Sequence, residues 1–223
     1  MKFLREHWYD VCGVLAVLSA IALAIFWKQM DILRILISLN FIVILLHQFE
    51  EYRFPGGGQA SVNFMRRGET IYDRYPLNQN NAMLGNLFTA FTMYLIPIFL
   101  PNVMWLGIVP AFFGLMQIIP HVFVLSIRLK TLYTPGFLST VLGHTPIGIF
   151  YFYYIIKNNL VSTQDWIISI VYLALFMALI YQGLFYKLLA DKNTPYPFSQ
   201  EEMNRFNMLE KMRATEPKEK LKD

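Results

Sequence analysis

Three of the four histidines in the chain, His47, His121 and His144, fall inside stretches made otherwise of Ile, Leu, Val and Phe. His47 is followed at i+3 and i+4 by Glu50 and Glu51, so on a helix one face presents the imidazole and both carboxylates within an arc of about 100°. Ionisable groups are costly in an apolar setting, and where they persist they mark functional sites. Two neighbouring carboxylates at a low-dielectric boundary repel, so one must take up a proton or a cation must sit between them. Three neutral imidazoles with two carboxylates balance one divalent ion. Mixed nitrogen and oxygen donors suit zinc first, then iron or manganese, and suit magnesium poorly. The single cysteine, Cys12, leaves no thiolate cluster and no internal disulfide to consider.

The spacing lies close to H-x-x-E-H, in which the outer residues hold zinc and the internal glutamate is the base. Here Glu51 stands at the last position. By that analogy His47 and Glu51 are metal ligands, Glu50 is the general base toward a water on the ion, and His121 and His144 complete the shell. Exchange of the roles of Glu50 and Glu51 stays open, as does a two-metal site with a bridging carboxylate. Asn86 and Gln117 are the expected hydrogen-bonding partners around the ligands. Against this stands a plainer reading, in which each histidine makes one hydrogen bond to a neighbouring helix and the two glutamates are boundary charges beside Arg53.

The elements that would position these groups are membrane helices. Only 15% of the residues are charged and 56% are hydrophobic, against roughly 25% charged in soluble domains. Six apolar stretches, 11–27, 32–49, 83–100, 103–127, 137–156 and 166–189, each approach the length that spans about 30 Å of hydrocarbon. An all-α polytopic bundle of about six transmembrane helices follows, occupying residues 1–190. With the amino terminus in the cytosol, all but Lys28, Arg34 and Lys157 of the nineteen Lys and Arg residues lie on the cytosolic side. That asymmetry predicts both termini inside, in the plasma (inner) membrane if the source is bacterial. In this topology His47, His121, His144 and the asparagines Asn81 and Asn86 reach similar depths near the cytosolic leaflet. The net charge of +4 sits in loops without a basic, aromatic-rich cluster, so nucleic acid is not an expected partner; the lipid bilayer is.

The connection 50–82 contains Pro55, Gly56, Gly57, Gly58 and the pair Arg66–Arg67, and reads as a cytosolic lid or a lipid-touching linker. In the polar tail 191–223, Ser199 and Glu202 have capping-box spacing ahead of Met203, Phe206, Leu209 and Met212. An amphipathic helix over about 199–213, lying on the membrane surface, is expected. Pro97, Pro110, Pro120 and Pro146 are candidate helix breaks.

His47-Gln-Phe-Glu50-Glu51 resembles the eponymous motif of the HXXEE domain family, and Tyr133-Thr-Pro135-Gly136 is similar to its Tyr-x-Pro-Gly motif, with His121 or His144 as its additional histidine. The resemblance covers about 40–151. It implies a membrane protein for which metal binding or catalysis has been proposed, with no substrate attached. Pro135 and Gly136 read as a turn, and Tyr133 as a residue that could hydrogen-bond a ligand or reacting oxygen. A weaker resemblance to CAAX-type membrane proteases rests on the Glu-Glu pair and two later histidines; Glu50-Glu51-Tyr52-Arg53 departs from their Glu-Glu-x-x-x-Arg, and Gln117 replaces a Phe. The leading expectation is a metal-dependent hydrolase acting on a lipidic or membrane-borne small molecule. An ion- or proton-coupled transporter, an iron oxygenase, a peptidase and a structural membrane protein are the alternatives.

Overall fold

The chain is described by a computed structural model over residues 2–66 and 69–215. Arg67 and the tail beyond Thr215 lie outside the described residues. Every regular element among the described residues is helical. Five helices are long and apolar enough to cross a membrane: α1 (Lys2–Gln29), α2 (Ile32–Tyr52), α4 (Gln79–Phe99), α5 (Met104–Leu129) and α7 (Thr163–Leu188). The short α3 (Gly58–Phe64) lies in the connection between α2 and α4. The sixth expected span forms α6 (139–157), a π turn running into an α-helix. It is not among the five apolar helices, because Thr140, His144, Thr145, Pro146 and the tyrosines Tyr151, Tyr153 and Tyr154 dilute its hydrophobicity. The tail carries α8 (Gln200–Asn204) and α9 (Met208–Thr215).

The helix starts are set by side chains that satisfy free backbone N–H groups. Asp31 accepts from the Arg34 amide at 2.9 Å to start α2. Asn78 with Asn81 and Ser162 with Asp165 form reciprocal caps at α4 and α7. The prolines do not break the long helices. A prolyl nitrogen has no hydrogen and its ring crowds the carbonyl four residues back, and widened π turns at Ala90–Leu95, Ile119–Val124 and Ser139–His144 accompany Pro97, Pro120 and Pro146. Such turns recur at functional sites, and His121 and His144 lie within two of them.

The bundle is built around α2. In its most apolar window 72% of the residues are buried, against 17% for α1 and for α7, so α2 is the centre and those two are outer helices. α1 runs along α2, with Trp8, Cys12 and Ala16 sharing a core with Leu45 and Tyr52. The outer faces expose Val14, Val17, Ile21 and Ile25 on α1 and Ile167, Ile170, Val171 and Leu179 on α7. A continuous apolar exterior of this kind is stable against lipid and not against water.

The connection after α2 and the tail form one polar end. Asn63 donates to the carbonyls of Tyr72 and Leu77 and accepts from the Leu77 amide, which ties α3 to 72–77. Gln59 donates to the Glu202 carbonyl at 2.8 Å, and Gln79 donates to the Glu202 carboxylate at 2.8 Å. The expected single amphipathic helix over 199–213 is instead two helices split by Phe206 and Asn207 at positive φ. Its apolar residues Met203, Met208 and Met212 are buried against the bundle. Of the expected stripe, Met203 and Met212 are thus covered by protein, while Phe206 and Leu209 are half-buried against the same core. Met208 is fully buried, and truncation of such a side chain costs about 2–5 kcal/mol. Met208→Ala is expected to loosen the tail, seen in limited trypsinolysis as faster cleavage at Arg205 and Lys211; unchanged cleavage would mean that this packing does not hold the tail in place.

Candidate metal centre

His47, Glu50 and Glu51 occupy the last turn and a half of α2, the most enclosed helix of the fold. His121 comes from the π turn of α5 and His144 from the π turn that opens α6. All five are buried. The ring centroids of His47 and His121 are 4.7 Å apart, and those of His47 and His144 are 5.7 Å apart. One ligand atom each from His47, Glu51 and His121 lies within 4.8 Å of the others. His144 stands outside that distance.

The hydrogen bonds fix which ring nitrogen is available. His121 Nδ1 is 2.6 Å from the Pro135 carbonyl, and His144 Nδ1 is 2.8 Å from Asn40 Oδ1. Both partners only accept, so both Nδ1 atoms carry the proton and each Nε2 keeps its lone pair. His47 Nδ1 is 2.9 Å from Ser139 Oγ. That hydroxyl gives its own hydrogen to Glu50 Oε2 at 2.5 Å, so it accepts from His47 Nδ1, and the Nε2 of His47 is left free as well. In His144 the free Nε2 is buried and has no partner. Three imidazoles held at Nδ1 and open at Nε2 are the arrangement in which protein imidazoles commonly bind metals.

The two glutamates, equivalent by spacing, have opposite surroundings. Glu50 accepts from the Tyr133 hydroxyl at 2.7 Å, the Leu138 amide at 2.9 Å, the Ser139 amide at 2.8 Å and the Ser139 hydroxyl. It is therefore a saturated carboxylate seated at the amino-terminal end of α6, where free N–H groups and the helix dipole favour negative charge. Burial and the Glu50 carboxylate together push the Tyr133 hydroxyl above its ordinary pKa, which keeps it a donor. Glu51 accepts no hydrogen bond among the described residues. His47 Nε2 lies 3.8 Å from its Oε2, beyond hydrogen-bonding reach. A buried carboxylate thus faces the lone pair of a buried imidazole. That contact is repulsive until a proton or a metal cation occupies the space.

The Tyr133-Thr-Pro135-Gly136 segment does more than turn the chain into α6. Tyr133 holds Glu50, the Pro135 carbonyl holds His121, and the Thr134 hydroxyl donates to the His121 carbonyl at 2.5 Å. Gly136 has φ +90°, and a Cβ there would lie 2.7 Å from His121 Nδ1 and 2.8 Å from His47 Cε1. Only glycine fits both the backbone and the two rings. Asn40, seven residues before His47, falls on the same helical stripe in the sequence; Ser139 and the Pro135 carbonyl are site groups that the sequence reading does not contain. A buried acid needs donors, and a small hydroxyl residue at a helix start was the available signal for Ser139.

A cavity of about 450 Å³ adjoins the cluster, with His47, Glu51 and His121 in its wall. Asn86 and Gln117 also line it. Asn86 donates to the Ala82 carbonyl and the Tyr52 hydroxyl, and none of the described hydrogen bonds joins Asn86 or Gln117 to the imidazoles. Tyr133 and Glu50 are turned toward each other and are not part of the cavity wall.

No curated protein and no solved structure matches the chain. Residues 38–151 match the family described as "Protein of unknown function with HXXEE motif". That match takes in His47, Glu50, Glu51, His121, the Tyr133–Gly136 segment and His144, and it covers half of the chain; the protein belongs to the HXXEE family.

Proposed function

We propose that this protein is a membrane-embedded, metal-dependent hydrolase of a lipidic or membrane-borne small molecule, with His47, His121 and Glu51 holding a divalent cation in the cavity wall. The observation that carries the reading is the pairing of an unsatisfied buried carboxylate with imidazoles whose Nδ1 atoms are all committed and whose Nε2 atoms are not. The donor set suits zinc, or iron or manganese with the same ligands. Such an ion supplies Lewis-acid polarisation of a carbonyl or phosphoryl group and makes water more acidic.

The chain's own residues divide the remaining tasks. Glu51 faces the cavity and takes the place of the ligand. Glu50 is a positioning residue: its charge fixes Ser139, which in turn fixes the Nδ1 hydrogen of His47. The general-base role expected for Glu50 is a poor match to a carboxylate whose oxygens already accept four hydrogen bonds. His144, with its free Nε2 one ring away from His47, is the reserve donor for a larger coordination shell. The amides of Asn86 and Gln117 offer polar contacts to a substrate, and the apolar remainder of the wall limits water. The distribution of Lys and Arg supports termini in the cytosol and a site near the cytosolic leaflet, in the plasma membrane if the source is bacterial.

Elemental analysis after mild solubilisation tests the reading. Stoichiometric divalent metal is expected in the wild type, with loss in Glu51→Gln and in His121→Ala. Glu50→Gln is expected to retain the ion with affinity lowered by about 10- to 100-fold, the usual cost of disturbing a group that orients a ligand. A wild-type protein that neither contains nor takes up zinc, iron or manganese would overturn the proposal. Gly136→Ala is a separate check on the clasp. Its methyl group must displace both His47 and His121, so metal affinity measured by competition with a chelating dye should fall by at least about tenfold while helix content by circular dichroism is retained.

A further inference from the structure

The cavity is bounded by α2, α4, α5, α7 and the connection that carries α3. α5 and α7 pack on each other along Met104–Met116 and Thr163–Leu175. Their other halves, the π-helical Ile119–Val124 and Phe176–Leu188, make no comparable contact, and the cavity lies between them. One residue from each of these halves, Ile119 on α5 and Gln182 on α7, lines the cavity and is also exposed at the surface. Ile119 is 56% exposed, and about one helical turn from Ile119 and Gln182 respectively Phe123 is 56% and Leu179 62% exposed. The gap therefore opens through a surface of large apolar side chains, the kind that faces acyl chains.

The polar content of the cavity is uneven. Its apolar wall includes Ile44, Met116, Phe113, Leu125, Met177 and Phe185. Arg66 is the one Arg or Lys among the described residues that line it, and its side chain is exposed and makes none of the described salt bridges or side-chain hydrogen bonds. A guanidinium that is the one Arg or Lys in the wall and has no partner among the described contacts is a receptor for a phosphate or carboxylate. At about 450 Å³ the space falls at the lower end of small-molecule pockets, which run from about 300 to 1,000 Å³. That is room for one headgroup and part of one chain.

We propose that the cavity binds a single-chain amphiphile with an anionic head, which enters sideways from the bilayer between Ile119 and Gln182 and sets its head between Arg66 and the His47–Glu51–His121 cluster. The substrate class rests on the functional reading above, since a cation at Glu51 removes the one negative charge that would oppose such a head. The portal and the Arg66 contact are features of this chain's own geometry.

The test uses the full chain in nanodiscs of phosphatidylcholine, with ligand binding followed by native mass spectrometry and metal content by elemental analysis on the same samples. Dodecyl phosphate is expected to bind saturably and about tenfold or more tighter than dodecylphosphocholine, and inorganic phosphate to bind far more weakly than either. Arg66→Gln should abolish the preference for dodecyl phosphate, and Ile119→Trp should weaken binding of both chains, each with an unchanged unfolding midpoint. Equal affinity for the two amphiphiles, a preference that survives Arg66→Gln, or inorganic phosphate binding as tightly as dodecyl phosphate would each overturn the proposal, the last by making the occupant a free anion. Metal present without binding of dodecyl phosphate sinks the substrate class alone. Binding of dodecyl phosphate that depends on Arg66 in a protein without metal sinks the metal reading and leaves the amphiphile pocket standing.

Discussion

A buried carboxylate with no donor, set 3.8 Å from an imidazole nitrogen that carries a lone pair, is the constraint to which the centre of this bundle answers. With Glu51 ionised and left alone, that pair costs several kcal/mol of desolvation with nothing returned. The surroundings do not relieve it. They hold it in place, because the Nδ1 atoms of His47, His121 and His144 are each tied to a fixed acceptor. Glu50, its neighbour in sequence, receives hydrogen bonds from Tyr133, Leu138 and Ser139 and is at rest. The fold has spent its donors on one glutamate and left the next to be met by a proton or a cation. Membrane helices seldom retain such a defect without a use for it.

The family motifs follow from this arrangement. In α2 the i, i+3, i+4 spacing of His47, Glu50 and Glu51 serves two directions at once. Glu51 turns with His47 toward the cavity, and Glu50 turns toward the start of α6. The Tyr133–Gly136 segment then closes the arrangement by supplying a hydroxyl, a carbonyl and a position without a side chain. Two short motifs eighty residues apart in the chain are thus the two halves of one clasp, and the glycine is required for contact with rings as well as for its φ of +90°.

Much of this was legible in the sequence, and the remainder was not for identifiable reasons. Hydropathy found the long helices because burial in lipid demands unbroken apolar runs. It also gave 137–156 as a span, and the helix found there is not among the five apolar ones because the same residues that serve the site, Thr140 and His144, lower its apolar content. Matched depth brought His47 and His121 together without coordinates. It could not distinguish Glu50 from Glu51, since the donors that differentiate them are backbone amides and a serine about ninety residues away, and backbone groups leave no mark on composition. The histidine partner Pro135 was hidden for the same reason: its carbonyl acts, and its side chain does not. The tail failed differently. An apolar stripe of Met203, Phe206, Leu209 and Met212 states that something covers it and says nothing of whether lipid or protein does so. The break at Phe206 and Asn207 then rotates Met208 into the covered set.

Placing this centre on α2 has an energetic logic. Preorganised donors keep their geometry only when the elements bearing them cannot shift, and α2 is packed against α1, α4, α5 and α6. The same enclosure raises the cost of any uncompensated charge, so rigidity and electrostatic penalty rise together at this helix. A bound cation would cancel the penalty without loosening the packing, and its binding energy would then appear as stability of the folded bundle. The polar end built from the α3 connection and the tail fits that picture. Hydrogen bonds from Gln59, Gln79 and Asn63 hold it together beside the cavity, whose wall it shares through Val62, Met65 and Arg66. A centre whose ionised form is costly when empty couples the occupancy of the site to the packing of the helix that carries it.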